Sequence, residues 1–487
     1  MKIKLKTQKS KIKTEITNNL SSSLQYPNPP LIQFLFCHFA ILLFVFCYLF
    51  FVGSCRDRVL PPDNGNGVHI PKLKIEAEDI GVTDCFIRLK FLDTLDTSPK
   101  QFSLSRDGQT ILSAQCSSLD TLLLDEGLLP NSTYKYKAYR FIPKDSGLLN
   151  STPIDSSSEL LVPTLDTTSH SYNFEVFYLG DGNSSVLRDV CIINDTCVWG
   201  VGEIYKKDST GQFETTPYNA ARWDGKQWNL IRIQFRLDYG ESIIYSYMGI
   251  KSFFAVSPDD IWFVHQVGGV TRLKDGQWMM MNFKLIDGPG GANKIWGTGS
   301  NNLYFVADLG RITHWNGASW RRLESGTDKN IHDIYGLGEE YIYLIGSNNT
   351  PSEEIKFMQL KNQNVSNLST EGLPWSLSTI WFPRTNRIYI GGDGVYYKDL
   401  RTGQNWRDVG SSFTHYYTSS VRGTDVNDVF VVTHFGGFYH FNGSSWRSFN
   451  FSLSTGVFLG VDIKKNIVCG VGTLGGKYAF AVIGKRY

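Results

Sequence analysis

Three hydrophobic patterns follow one another along the chain. The first is an unbroken run: residues 31–54, LIQFLFCHFAILLFVFCYLFFVGS, contain no Asp, Glu, Lys or Arg. The second has a period of two. Cys85-Phe-Ile-Arg-Leu-Lys-Phe91 alternates as a half-buried strand, and Phe102 to Leu112 reads as a hairpin around Asp107-Gly108, a pair that tolerates the positive φ of a tight turn. The third is a repeat that begins near residue 186. Each unit runs apolar strand, polar turn, aromatic-centred strand, Gly turn and further strand, then Asn-Gly or Asp-Gly and a Trp.

The anchors of that repeat are Trp199, Trp262, Tyr304, Tyr343, Tyr389, Phe430 and Val468. After a first interval lengthened by an insertion they recur about every 40 residues, the period of a propeller blade. A single blade cannot bury both of its faces, so a ring of them is required. Seven units predict seven blades; six or eight remain compatible with the pattern. Asp224-Gly225, Asp275-Gly276, Asn316-Gly317 and Asn442-Gly443 predict type I′ turns, and the Trp that follows each opens an outer strand. The stretch from Tyr172 to Tyr178 is expected to complete the last blade, which has no Trp-bearing outer strand of its own.

Charge adds an address. The 487 residues hold 48 Lys+Arg and 46 Asp+Glu, but Lys2, Lys4, Lys6, Lys9, Lys11 and Lys13 sit before the apolar run and acids outnumber bases after it. The slightly acidic body argues against nucleic acid, which needs a basic stripe to displace counterions. A basic flank and an apolar run form an export signal or a membrane anchor, with the lysines left in the cytoplasm. Val52-Gly53-Ser54-Cys55 resembles the lipobox of bacterial lipoproteins. The resemblance implies cleavage before Cys55 and acylation of its thiol; the alternative is an uncleaved anchor. Residues 1–54 are therefore read as signal or anchor, and 55–70, rich in Pro, Gly and Asn, as a tether. The later cysteines, Cys85, Cys116, Cys191, Cys197 and Cys469, are odd in number and widely spaced, with no Cys-x-x-Cys. Repeat alignment puts Cys197 in a hairpin loop and not opposite Cys191, so no bridge is expected there.

Gly127-Leu-Leu-Pro-Asn-Ser-Thr-Tyr134-Lys-Tyr-Lys-Ala-Tyr139 resembles the fibronectin type III pattern, in which Leu and Pro precede a Tyr. The resemblance implies a sandwich over 71–165, with Tyr134 as its tyrosine corner and Phe86 or Phe91 replacing the usual Trp. The expected fold is all-β: a fibronectin type III-like sandwich followed by a β-propeller over 172–487.

Catalytic patterns are poor. Gly470-Val-Gly-Thr-Leu-Gly475 matches a dinucleotide fingerprint literally, but too little chain follows it to build the required helix and strand. There is no His-Glu-x-x-His and no Gly-x-Ser-x-Gly. No metal or cofactor is expected. A basic residue recurs in the repeat at Arg222, Arg272, His314 and His440. These are candidate contacts on one rim, or else solvated strand ends. The insertion Glu203 to Tyr218, with Lys206, Lys207, Asp208 and Glu214, is a candidate contact loop.

The whole arrangement resembles cell-envelope lipoproteins of Bacteroidetes-type bacteria, some of which carry a glucosyltransferase label; Tyr439-His-Phe-Asn-Gly443 superficially echoes glucan-binding repeats. The expected function is a non-enzymatic, membrane-anchored envelope lipoprotein, periplasmic or at the cell surface, that binds protein or glycan through one propeller face. The alternatives are a carbohydrate-active protein and an envelope assembly or sensor component.

Overall fold

The computed structural model describes residues 72–94, 98–141, 152–239, 242–281 and 291–487. The chain divides into two compact units, Met1–Val68 and His69–Tyr487. The first unit, with the segment read as signal or anchor and Cys55, lies outside the described residues.

The second unit opens with a two-sheet sandwich. Leu73–Ile80, Asp84–Phe91 and Asp120–Glu126 form one sheet; Gln109–Cys116, Lys100–Arg106 and Thr133–Phe141 form the other, and the short Asp155–Ser156 and Leu160–Pro163 both pair with Thr133–Phe141. Alternation decides what enters the core: Cys85, Ile87, Leu89 and Phe91 point inward onto Phe102, Leu104, Tyr136 and Val162. Asp107 and Gly108 both have positive φ and close the expected hairpin, with Arg106 opposite Gln109. Phe91 packs edge-on against Phe102, 6.2 Å between centroids, and so takes the core position. Phe86 lies on the other face of its strand and is buried beneath Arg401, 3.8 Å from the ring centroid. One of the two candidate phenylalanines is therefore a core residue and the other an interface residue.

The remainder is a ring of seven four-stranded antiparallel sheets among the described residues. The innermost strands are Val186–Asn194, Ile250–Ser257, Ala292–Gly299, Ile331–Gly336, Leu377–Arg384, Thr418–Asp425 and Gly456–Lys464, here counted as blades 1 to 7. Each lies beside the next, and the seventh lies beside the first. Blade 7 takes its outer strand from Tyr172–Leu179, in register from Ala479 opposite Leu179 to Arg486 opposite Tyr172. An N-terminal strand thus locks the C-terminal end of the ring through eight paired positions, leaving no free seam.

Wedges between blades are filled by aromatic rings: Trp262 and Trp381 are fully buried, and Trp315 and Trp320 lie tilted against each other at 4.7 Å beside Trp262. Burying such a ring contributes several kcal/mol, since Trp→Ala costs about 3–5 kcal/mol. The Asx-Gly pairs divide. Asp275-Gly276 is a two-residue turn with both φ positive, as expected. Asp224, Asn316 and Asn442 instead open longer turns, in which the side-chain oxygen accepts two following backbone N–H groups, as Asn442 does from Ser444 at 3.0 Å and Ser445 at 2.8 Å. The Asx side chain substitutes for a backbone carbonyl, which is why these three positions need Asx and only the following Gly needs positive φ.

Candidate functional site

In a four-stranded antiparallel blade, the first and third turns open at one end of the ring. The second turn and the link to the next blade open at the other. The sandwich occupies the first end, at blades 5 and 6. Asp79 is buried there among three guanidinium groups, with Arg387 Nε at 2.8 Å, Arg401 Nη2 at 2.5 Å and Arg384 Nη1 also bonded to it. Burial pushes the Asp79 carboxyl up, but Arg387 and Arg401 outweigh it and hold it down at about 2. Asp84 adds a two-pronged pair to Arg387, at 2.9 and 3.1 Å. The connecting segment is tied down as well. Thr168 Oγ1 donates to the Asn427 carbonyl, and His170 Nδ1 meets His440 Nδ1 at 2.8 Å.

The opposite end carries the irregular features. Its turns present Phe213, Leu309, Trp375, Tyr416 and Phe435, all exposed, with Leu309 and Phe435 about 60% exposed (62% and 61%). Leu309 and Phe435 also have left-handed backbone, φ 58° and 57°. A bulky residue in that region is disfavoured by roughly 1–2 kcal/mol, and large apolar side chains gain nothing by facing water. Tyr416 and Phe435 pack on each other at 4.9 Å, so the link into blade 6 and that blade's second turn build one aromatic tip.

At the centre of this end, all seven innermost strands carry a register shift within their first three residue pairs, at Arg188, Lys251, Asn293, His332, Ser378, Ser419 and Leu459. A bulge re-aims a side chain; repeated seven times, it rings the channel mouth with six polar residues and one Leu. Lys251 makes no hydrogen bond or salt bridge among the described residues; burial lowers its pKa, opposed by the nearby Asp308 carboxylate and reinforced by Arg188. Below the mouth, charge pairs link the innermost strands of separate blades. Lys294 of blade 3 reaches past blade 2 to both oxygens of Asp189 in blade 1, at 2.8 and 2.7 Å. Arg422 in blade 6 pairs with Asp333 in blade 4 at 3.2 Å. Asp462 accepts the Ile192 and Ile463 N–H groups, and burial pushes its pKa up to about 6. The three channel carboxylates are thus held as structural cross-links.

The sequence-derived candidates separate on burial. Arg222, Arg272, His314 and His440 do share one register, opposite the anchors Trp199, Trp262, Tyr304 and Phe430. A common rim is not what that register makes of them. Arg272 is buried, lies 4.6 Å over Trp262 and forks onto Asp260 at 2.7 and 2.6 Å. His314 is buried on Tyr304 at 4.4 Å and meets Asn302 at 2.7 Å. His440 is fully buried on Phe430 at 4.5 Å and meets Asp428 at 2.9 Å. Only Arg222 is exposed. The third strand of a blade is covered by the fourth, so a basic residue there turns to the cross-strand ring and to the acid or amide that begins the second strand. Burial lowers the pKa of both His314 and His440.

Tyr134 accepts the Leu129 N–H at 2.8 Å, a bond back across the preceding turn. Cys191 lies opposite Trp199, and neither Cys191 nor Cys197 is in a disulfide. The insertion is shared between two places: the loop after Ile204 and a hairpin, Phe235–Tyr239 with Ser242–Ser246. Two charges of the loop pair with residues outside it, Lys206 with Asp181 at 2.5 Å and Glu214 with Arg232. Sequence reading missed the Asp79 cluster, the bulge ring and the exposed tips. Arg384, Arg387 and Arg401 gathered in one repeat were the available signal for the first.

No family model matches the chain, and no curated protein sequence matches it. Among solved structures it is similar to YCF48 bound to D1 peptide, at 14% identity and TM-score 0.47 over 66% of this chain and 100% of that one. It is also similar to the WD40 beta propeller domain of Doa1, at 13% and 0.43 over 64% and 97%, and to YCF48 from Cyanidioschyzon merolae, at 15% and 0.44 over 64% and 98%. The strand pairing itself makes the described residues an all-β molecule, a sandwich followed by a β-propeller.

Proposed function

We propose that this chain is a non-enzymatic binding protein of the cell envelope, and that the end of the propeller opposite the sandwich receives a protein partner. The observation that carries the reading is the pair Leu309 and Phe435, bulky, exposed and in left-handed backbone on that one end. Strain of this kind persists where a surface has a use, and exposed aromatic residues are enriched in protein interfaces. A partner with an apolar contact face suits these apolar tips. Export and a lipid on Cys55 complete the reading. The strand order of the sandwich, with Tyr134 bonded back to Leu129, supports a fibronectin type III-like module, which would act as a spacer between membrane and propeller.

Site-specific photo-crosslinkers at Leu309, Phe435 and Tyr416 in the producing cell test the contact. The expected result is one partner protein captured from all three positions, and not from Arg222 on the outer part of blade 1. Equal capture at every position refutes the reading. Mass spectrometry of the mature N-terminus tests the anchor: a diacylated Cys55 is expected, and an intact residue 1–54 segment with a free thiol overturns it.

A further inference from the structure

The outer strands of the blades share one register. Trp228, Trp320 and Trp446 begin those of blades 1, 3 and 6, opposite Trp223, Trp315 and Phe441. Each packs on that aromatic partner, at 5.9, 4.7 and 5.0 Å, and is half-buried. The two residues that follow are Asn229 and Leu230, Arg321 and Arg322, and Arg447 and Ser448. Blade 2 keeps the Trp but not its neighbours. Trp278 lies opposite Leu273, rests on Phe263 at 5.8 Å one strand further in, and is followed by Met279 and Met280. All three side chains are 41–46% exposed.

Beside this strand sits a two-stranded sheet, an addition between blades 1 and 2. Its first strand, Phe235–Tyr239, runs next to Val270–Lys274 and Gln277–Met281. Its second, Ser242–Ser246, leaves Ile243, Ile244 and Tyr245 50–56% exposed. Among the described residues Gln277–Met281 pairs only with Val270–Lys274, and Ser242–Ser246 only with Phe235–Tyr239, so one backbone edge of each is open. Natural sheet edges are blunted by Lys, Pro or other charge. Residues 242–250 and 276–281 contain no Asp, Glu, Lys, Arg, His or Pro. Contiguous exposed apolar surface of this kind marks a contact site.

Three features choose the occupant. An open strand edge needs backbone donors and acceptors, which a lipid surface does not supply. An uncharged strip neither repels its own copy nor selects a charged partner, and identical edges can pair about a two-fold axis. The area is sufficient: six side chains about half exposed, at about 200 Å² each when fully exposed, offer roughly 600 Å². A specific interface takes about 600–1,000 Å² from each partner. We propose that the flank of blade 2 is a self-association surface, on which Gln277–Met281 and Ser242–Ser246 of one copy meet the same two strands of a second copy of this chain. The surface shares no residue with Leu309, Tyr416 or Phe435, so neither reading depends on the other.

The test uses the full chain in detergent, as an equal mixture of unlabelled and isotope-labelled protein, with a photo-crosslinking residue at Met279 or at Tyr245. An adduct of twice the chain mass is expected, and its mixed-isotope peptides should join residues 277–281 or 242–246 of one copy to those segments of the other. The double variant Met279→Arg, Met280→Arg copies the Arg321 and Arg322 that blade 3 already carries in this register. It should leave the melting curve in place and weaken the dimer about tenfold or more in sedimentation equilibrium. Ile243→Lys, on the added hairpin, serves as a second variant if the first melts early. Absence of a self-adduct at concentrations up to about 100 µM overturns the proposal. So does an adduct formed only with lipid or with another protein. A dimer that both variants leave unchanged also overturns it, since association would then lie elsewhere in the chain.

Discussion

Replacing Asp79 by Asn removes one charge from the contact between sandwich and propeller and little volume. Asp79 is buried and holds Arg384, Arg387 and Arg401, three residues of blade 5. Its carboxyl falls from 3.8 to about 2 against the pull of burial, and a shift of roughly two units is worth about 2–3 kcal/mol. The loss should stay near that figure, below the upper range of about 3–5 kcal/mol for breaking a buried pair, because every arginine keeps a second acid. Arg401 retains Asp399 at 2.6 Å, Arg387 retains Asp84 at 2.9 Å and Arg384 retains Asp425 at 3.1 Å. The sign in pH follows from the depressed pKa. The stabilisation is complete above about 4 and is lost as pH falls through about 2. Calorimetry should therefore show the sandwich melting earlier in Asp79→Asn at pH 7, with the gap from the parent closing as pH is lowered. A double-mutant cycle with Arg387→Met should return a coupling of about 2 kcal/mol. A coupling under about 0.5 kcal/mol, or a gap independent of pH, would refute the reasoning.

Other consequences are as direct. Asp462, raised to about 6 by burial, favours the folded state most at acid pH, and its contribution is lost as pH rises through 4 to 6; Asp462→Asn should flatten that part of the stability–pH curve, read by denaturant titration. Leu309→Asn and Phe435→Asn should each hold or raise stability, by up to about 1 kcal/mol, while weakening partner capture; a loss greater than about 1 kcal/mol in either would show that the side chain supports the fold instead. Trp262→Ala should lower stability by about 3–5 kcal/mol, measured by thermal melt, since the ring is fully buried between blades. His440→Phe leaves Asp428 with Arg486 and Thr424 and unties His170; a cost of about 1–3 kcal/mol and faster proteolysis of the 164–171 segment are expected, and an unchanged cleavage rate would contradict the tie.

The repeat was legible because a blade is a local object. Its hairpins, Asx turns and alternating apolar positions are set within some forty residues, so anchors such as Trp262 and Tyr304 could be aligned from sequence and were found on corresponding strands. Closure by Tyr172–Leu179 could be inferred as well, because the last unit lacked an outer strand. The basic residues at 222, 272, 314 and 440 show the limit. Periodicity gave them one shared register, but whether a residue in that register faces water depends on what the fourth strand and the neighbouring blade lay over it.

Sequence by itself determined the strand-by-strand content of this protein: where chains turn, which rings recur, and that a ring of sheets must close. Tertiary structure alone decided where the chemistry lies. The gathering of Asp79 with residues some three hundred positions away, and the charge pairs that cross the channel, Lys294 with Asp189 and Arg422 with Asp333, arise from contacts between elements distant in the chain. Hydrogen-bond register and side-chain alternation are short-range and leave a period in the sequence. Contacts across a closed ring have no fixed sequence spacing, so no pattern along the chain records them.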